Sequence, residues 1–302
     1  MPFRIAKGHR QRTRWAYAAF LALPVILFTA VYIYPLVYSV TMSLHSWDGM
    51  SPQWTWIGFG NYSSLFDDER FWTALGNNFR WLIFELLAPT AFGLALALLL
   101  NDKLKGAGIY KTLIFLPFTM TPIAVAAFRR WIYDPSKGVA EDVLGAIGLG
   151  ALQQNWLGDP DLVTYSIMFS SLWWKTGFSF LLYFAGLRSV PQDYIEAAQI
   201  DGAKPWVIFW RITFPMLWPT TIVVLGISGI DAMRVFDLVQ GMTQGGPYNS
   251  SHVLATLMYD VSFQRFQMGR GAAIAVCLMI VAMVIVLPYI IYMSSRIEDV
   301  RE

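Results

Sequence analysis

The run Ala272-Ala-Ile-Ala-Val-Cys-Leu-Met-Ile-Val-Ala-Met-Val-Ile-Val-Leu-Pro-Tyr-Ile-Ile-Tyr292 decides the fold class. It holds 21 residues and no charge. Roughly 20 apolar residues in a helix cross a hydrocarbon core of about 30 Å. Backbone at that depth finds no water to bond to, so such a run must be a helix that satisfies its own amides and carbonyls.

Five further segments read the same way: about Ala16 to Met42, Trp81 to Leu100, Leu113 to Tyr133, Val163 to Leu187, and Leu217 to Val239. The expected fold is all-α and polytopic, with six transmembrane helices and one short helix on the cytoplasmic side. Composition agrees, because the chain has 302 residues of which 56% are hydrophobic and 14% charged. Soluble chains average about 25% charged residues. The expected division is a basic leader over 1–15, a membrane domain over 16–293 and a tail over 294–302. The apolar run after the leader exceeds the ~7–15 residues of a secretory signal, and no small-residue cleavage site closes it, so it reads as a retained first span. Pro24, Pro35, Pro117 and Pro122 interrupt spans one and three, either to bend them for packing or to gate.

Orientation follows from lysine and arginine. The leader, the loops after spans two and four, and the tail share one side and hold 13 basic residues, including Lys111, Arg188, Lys204 and Arg211. The opposite loops hold four: Arg70, Lys137, Arg265 and Arg270. Both termini are therefore expected in the cytoplasm. The outer loops carry Trp47, Trp54, Trp56, Tyr62 and Trp72, as interfaces favour. Cys277 has no partner for a disulfide. His9, His45 and His252 are too scattered to hold a metal. No Gly-x-x-x-x-Gly-Lys-Ser/Thr loop is present, so the chain itself should not hydrolyse ATP.

The loop after span four reads Ser189-Val-Pro-Gln-Asp-Tyr-Ile-Glu-Ala-Ala-Gln-Ile-Asp-Gly-Ala-Lys-Pro-Trp-Val-Ile-Phe-Trp-Arg-Ile-Thr-Phe-Pro215. It predicts two short helices with a break. Ser189 and Gln192 have capping-box spacing, and Pro191 suits a first turn. Gly202 suits a left-handed helix end, and Pro205 the start of the next helix. A helix this short needs a partner surface. Its small and acidic face (Glu196, Ala197, Ala198, Asp201) suits a protein cleft, whereas helices lying on headgroups are usually basic.

Glu196-Ala-Ala, Asp201-Gly-Ala, then Phe209, Ile212 and Pro215 resemble the EAA loop of permease subunits in binding-protein-dependent ABC importers. Gly60-Asn-Tyr62, Phe236-Asp237, Gly245-Gly-Pro247 and Met268 to Ala275 are similar to the carbohydrate-uptake branch of that family. The resemblance implies that Tyr194, Glu196, Ala197, Ala198, Asp201, Gly202 and Ala203 couple the chain to an ATPase. It also implies a second related permease, two ATP-binding subunits that carry ATP and Mg, and an extracytoplasmic solute-binding protein. The implied location is the inner membrane of a bacterium or archaeon. No cofactor, metal or nucleic acid is expected on this chain. Asp231 departs from the family pattern and bears on the solute.

Polar groups at mid-membrane face a cavity or one another. Ser170, Ser171, Trp173, Trp174 and Lys175 sit mid-span in segment four, Ser228, Asp231 and Arg234 in segment five, and Thr119 and Thr121 beside the prolines of segment three. The expected solute pathway is Thr121, Ser171, Trp173, Trp174, Lys175, Ser228 and Asp231, with hydroxyls and the acid holding solute hydroxyls and either tryptophan offering a flat wall. Asp231 is open to a second reading, an ion pair with Lys175 or with Arg234. Glu85 is read as packing or interfacial, with a cavity role as the alternative. An ion-driven carrier would leave the acidic loop unexplained, and an embedded enzyme would need a His/Asp/Glu cluster that the spans lack.

Overall fold

The computed structural model describes residues 17, 20–101, 106–136 and 138–299. The leader's basic residues, Lys103, Lys105, Lys137 and Arg301 lie outside them. The chain folds into helices α1 (Phe20–Ser43), α2 (Gly60–Phe66), α3 (Glu69–Leu99), α4 (Ala107–Phe115), α5 (Pro122–Ile132), α6 (Val139–Ala146), α7 (Val163–Leu187), α8 (Gln192–Ile200), α9 (Pro205–Met216), α10 (Trp218–Met233), α11 (Asp237–Met242), α12 (Leu254–Tyr259) and α13 (Met268–Asp299). Among the described residues one two-residue hairpin, His45↔Trp56 and Ser46↔Thr55, closes the loop after α1.

By length and composition, Phe20–Ser43, Glu69–Leu99 and Met268–Tyr289 suffice to cross a membrane, and two bent pairs qualify as broken spans. Where described, the six predicted segments are largely helical, but their limits differ in places, and segment six runs from Met268 to Asp299. Segment two begins twelve residues earlier, at Glu69, because Asp68 caps the helix by accepting the Arg70 amide at 3.0 Å. Segment three breaks by 100° between Thr119 and Pro122. Proline has no amide to continue the ladder and forces the residue before it out of the helical region, and Thr121 is extended (φ −67°, ψ 146°). Segment five ends at Met233 and resumes at Asp237, so its last turn is detached, while α9 meets α10 at 67°.

The centre is the α3–α7 pair. Gly93 lets the two backbones meet, since a Cβ there would lie 2.6 Å from the Phe180 amide nitrogen. Three apolar clusters stack along this axis. The first joins Leu65, Phe71 and Ala74 to Leu254, Leu257 and Ile274. The middle one gathers Trp81, Val125, Ile167, Trp174 and Val239. The last joins Ala97, Phe180, Tyr183, Leu187, Leu217 and Val224. Polar ties fix the end that holds Asp68. Asp68 receives Arg70 and Arg270, each at 2.7 Å, and so binds α3 to α13. The Asn77 amide donates to the carbonyls of Ser250 (2.7 Å) and His252 (2.8 Å), pinning the loop between α11 and α12. The upper part of α1 leaves its side chains, such as Phe20, Leu21 and Tyr32, exposed.

Candidate functional site

The breaks predicted by proline, and the one after Met233, open a cavity of about 330 Å³ beside α3 and α7. Trp81 and Glu85 are four apart on α3 and so share its inner face. Ser171, Trp174 and Lys175 do the same on α7. Asp231 enters from α10. Phe118 and Pro122 close one side at the first break, and Arg234 to Leu238 close another at the second.

The polar groups are paired across helices. The Lys175 ammonium donates to the Asp231 carboxylate, joining α7 to α10. Ser171 Oγ donates to Glu85 Oε1, joining α7 to α3, and Glu85 is only 3% exposed. The Lys175 nitrogen lies 4.8 Å from the centre of the Trp174 ring, within cation–π reach. The Trp174 indole N–H donates to the Met120 carbonyl, freed by the proline break, at 3.3 Å. Phe118 stands 6.3 Å from Trp174 and 5.2 Å from Phe178. The result is a polar floor under aromatic walls, the mixture that small-molecule sites show. The ion pair matters because a lone charge at this depth is costly and a paired one far less so.

Of the residues predicted for the pathway, Ser171, Trp174, Lys175 and Asp231 line this cavity. Thr121, Ser228 and Trp173 do not. Thr121 is the residue before α5, and its neighbour Pro122 lines the cavity instead. Ser228 is buried on α10 at 6% exposure. Trp173 turns to the opposite side of α7, because one residue rotates a helix by about 100°. It stacks there under the Arg129 guanidinium at 4.6 Å and beside Phe128. Asp231 pairs with Lys175, and Arg234 meets it only through the backbone, N to O at 3.1 Å. Glu85 is buried and lines the cavity. Trp81, Phe118, Phe236 and Asp237 were not anticipated. The Trp81–Glu85 spacing of four was the available sign of the first.

At the far end of α7 lies α8. Ser189 does not cap it, since its hydroxyl turns back to the Gly186 carbonyl at 2.7 Å and Pro191 occupies the cap position without a side-chain bond. The C-terminus is a Schellman motif: the Gly202 amide donates to Gln199 O at 3.0 Å and the Ala203 amide to Ala198 O at 2.9 Å, with Gly202 left-handed at φ +77°. Ile195 packs on the third core cluster, and Ala198 and Ala203 are half-buried. Tyr194, Glu196, Ala197, Asp201 and Gly202 remain exposed on the other face, as does Ile200 at 86%. Among the described residues no three His, Cys, Asp or Glu side chains gather as a metal site.

Residues 89–296 match the family described as binding-protein-dependent transport system inner membrane component. A probable ABC transporter permease of Pyrococcus horikoshii is 32% identical, covering 94% of this chain and 97% of its own length. The alpha-glucoside transport system permease of Rhizobium meliloti is 38% identical over 89% of this chain and 79% of its own. The lactose transport system permease of Rhizobium radiobacter is 32% identical over 92% and 93%. Among solved structures, a chain of a bacterial ABC transporter involved in the import of the acidic polysaccharide alginate superposes with a TM-score of 0.81 at 28% identity, covering 97% of this chain and 99% of that one. The same kind of transporter in complex with an alginate pentasaccharide-bound periplasmic protein gives 0.79 at 27% identity, over 95% and 96%. The match spans most of the chain, and the chain belongs to the family of inner-membrane components of binding-protein-dependent transport systems.

Proposed function

We propose that this chain is the permease subunit of an ATP-driven importer that moves a sugar or sugar-like solute (a di- or oligosaccharide, or a glycerol phosphate) by alternating access. The observation that carries the reading is the position of α8. It leaves its small and acidic face open, and the helices on either side in the chain, α7 and α9–α10, lead to Lys175 and Asp231 in the cavity. A subunit that grips α8 therefore reaches both walls of the cavity through α7, the bent α9–α10 pair and the third core cluster. Tyr194, Glu196, Ala197, Ala198, Asp201, Gly202 and Ala203 form the coupling surface for a separate ATPase that binds ATP and Mg. Ser171, Trp174, Lys175 and Asp231, with Glu85 and Trp81, form this chain's part of the solute path.

Family membership supports a second related permease, two ATP-binding subunits and an extracytoplasmic solute-binding protein. The saccharides named for the relatives support a sugar as cargo. The charge asymmetry supports cytoplasmic termini in a bacterial or archaeal cytoplasmic membrane. Binding energy can drive such a cycle only as a difference between inward- and outward-open states.

The test is uptake into proteoliposomes that hold the full complex with loaded binding protein outside. ATP enclosed in the lumen is expected to drive uptake that survives collapse of ion gradients. Uptake that needs a gradient and ignores ATP would overturn the reading.

A further inference from the structure

Resting on the reading of this chain as a membrane subunit with its basic side in the cytoplasm, we propose that a second groove, on the face of α7 turned away from the solute cavity, holds an anionic phospholipid of the cytoplasmic leaflet. The groove has a volume of about 330 Å³, lies between α3, α4 and α7, and shares no lining residue with the cavity. Its walls are Phe92 and Leu96 of α3, Leu113 and Ile114 of α4, and Leu172 and Trp173 of α7. Thr176, its one hydroxyl, is bonded back to the Leu172 carbonyl at 2.6 Å and offers the groove no free donor. Such a trough along a span suits an acyl chain. The charge sits at its end. On α7, Trp173, Thr176, Phe180, Phe184 and Arg188 recur at intervals of three and four and so share one face. There the Phe184 ring holds two cations, with the Lys111 ammonium 3.9 Å and the Arg188 guanidinium 4.8 Å from its centre. Neither has a carboxylate partner among the described residues. A ring steadies a cation through its quadrupole but does not cancel its charge, so two like charges at one ring call for an anion. Basic pockets between spans on the cytoplasmic side take anionic headgroups, and lysine and arginine give phosphate oxygens charge-assisted hydrogen bonds. Lys111 stands two residues before Leu113 on α4, which brings headgroup and chain to one place. Free phosphate would use the cations and leave the groove, and a neutral lipid would do the reverse. An anionic lipid uses both.

The test is a titration of the purified complex in detergent with dioleoylphosphatidylglycerol, dioleoylphosphatidylcholine or inorganic phosphate, read as retained lipid in native mass spectrometry and as melting temperature. The wild type is expected to bind the glycerol lipid at least about tenfold more tightly than the choline lipid, and phosphate is expected to leave the melting temperature unchanged. Lys111→Gln/Arg188→Gln should abolish the preference and leave the choline lipid within about threefold of its wild-type affinity. Leu113→Trp narrows the groove at an exposed position and should weaken both lipids at least about fivefold. Arg211→Gln removes an exposed cation on the same side and should change neither lipid by more than about twofold. Equal binding of the two lipids by the wild type would overturn the proposal. So would a preference that survives loss of both cations, phosphate that stabilises as well as the glycerol lipid, or a Leu113→Trp variant that binds both lipids as before. If the double variant sheds the ATPase while its permease pair keeps the preference, the two cations meet a protein and the lipid site is refuted. The titration needs neither ATP nor solute, so a failure of ATP-driven uptake would sink the importer reading and leave this result standing.

Discussion

Gly202 gives the sharpest forecast for the coupling surface. It adopts φ +77°, and a Cβ built there meets nothing within 4 Å inside the chain. The cost of a side chain is therefore a backbone cost alone. For an L-residue the left-handed region costs roughly 1–2 kcal/mol, least for asparagine, which bonds locally, and most for a β-branched residue. Because α8 is short and supported on one face only, that cost falls on its docked form. At 1.4 kcal/mol per factor of ten, Gly202→Ala should weaken the apparent affinity for the ATPase about fivefold, Gly202→Val about thirtyfold, and Gly202→Asn less than about threefold. The assay is a titration of ATPase subunit against the permease pair in nanodiscs, read as solute-stimulated hydrolysis. The order is the test. Asparagine is larger than alanine, so if Asn harms more than Ala, contact volume against the partner governs and the backbone argument is wrong. Valine behaving as wild type would refute it outright.

Other consequences can be checked in parallel. Gly93→Val places a branched side chain against the Phe180 amide. Overpacking of this kind costs about 1–3 kcal/mol or more, so the melting temperature of the purified complex should fall. Asn77→Ala strands the His252 carbonyl and leaves that of Ser250 with only the Thr164 hydroxyl at 3.4 Å. At about 1 kcal/mol per lost bond, the loss is about 2 kcal/mol, and limited proteolysis should cut faster within 243–253. The bonds from Arg70, with Arg70 and Arg270 charges nearby, hold the Asp68 carboxyl below its ordinary value of 3.8, against some loss of solvation. A depressed carboxylate stabilises the fold at and above its unfolded pKa, and that stability is lost as pH falls through the lower folded value. The α3–α13 tie should therefore persist through pH 4 and fail only in stronger acid, and Asp68→Asn should flatten the acid limb of a thermal-melt profile.

The spans were legible in the sequence because membrane helices carry their signal in composition alone. Their ends were not. The first three turns of α3 hold Arg70, Asn77 and Asn78, which hydropathy counts as loop, yet these residues tie the helix to Asp68 and to the α12 loop. Pro122 forecast a bend, but not one of 100°, since the angle depends on what fills the corner, here Phe118 and Trp174. Within the site, spacing placed Ser171, Trp174 and Lys175 on one face, and a single step of helix rotation excluded Trp173. The choice between Lys175 and Arg234 as partner of Asp231 was beyond sequence, because it turns on the distance between α7 and α10. The left-handed helix end was read correctly at Gly202, where positive φ favours glycine, and the cap wrongly at Ser189, whose hydroxyl found a nearer acceptor at Gly186.

The most direct test of the coupling claim is a cross-link. Replacing Cys277, the only cysteine, by alanine and Ala197 by cysteine gives one exposed thiol on α8. With an ATPase subunit carrying one cysteine in its permease-facing groove, a short bismaleimide should join the two chains, and the joined complex should lose solute-stimulated ATP hydrolysis. An ATPase that co-purifies fully yet never cross-links at Ala197, with hydrolysis still stimulated, would contradict the account.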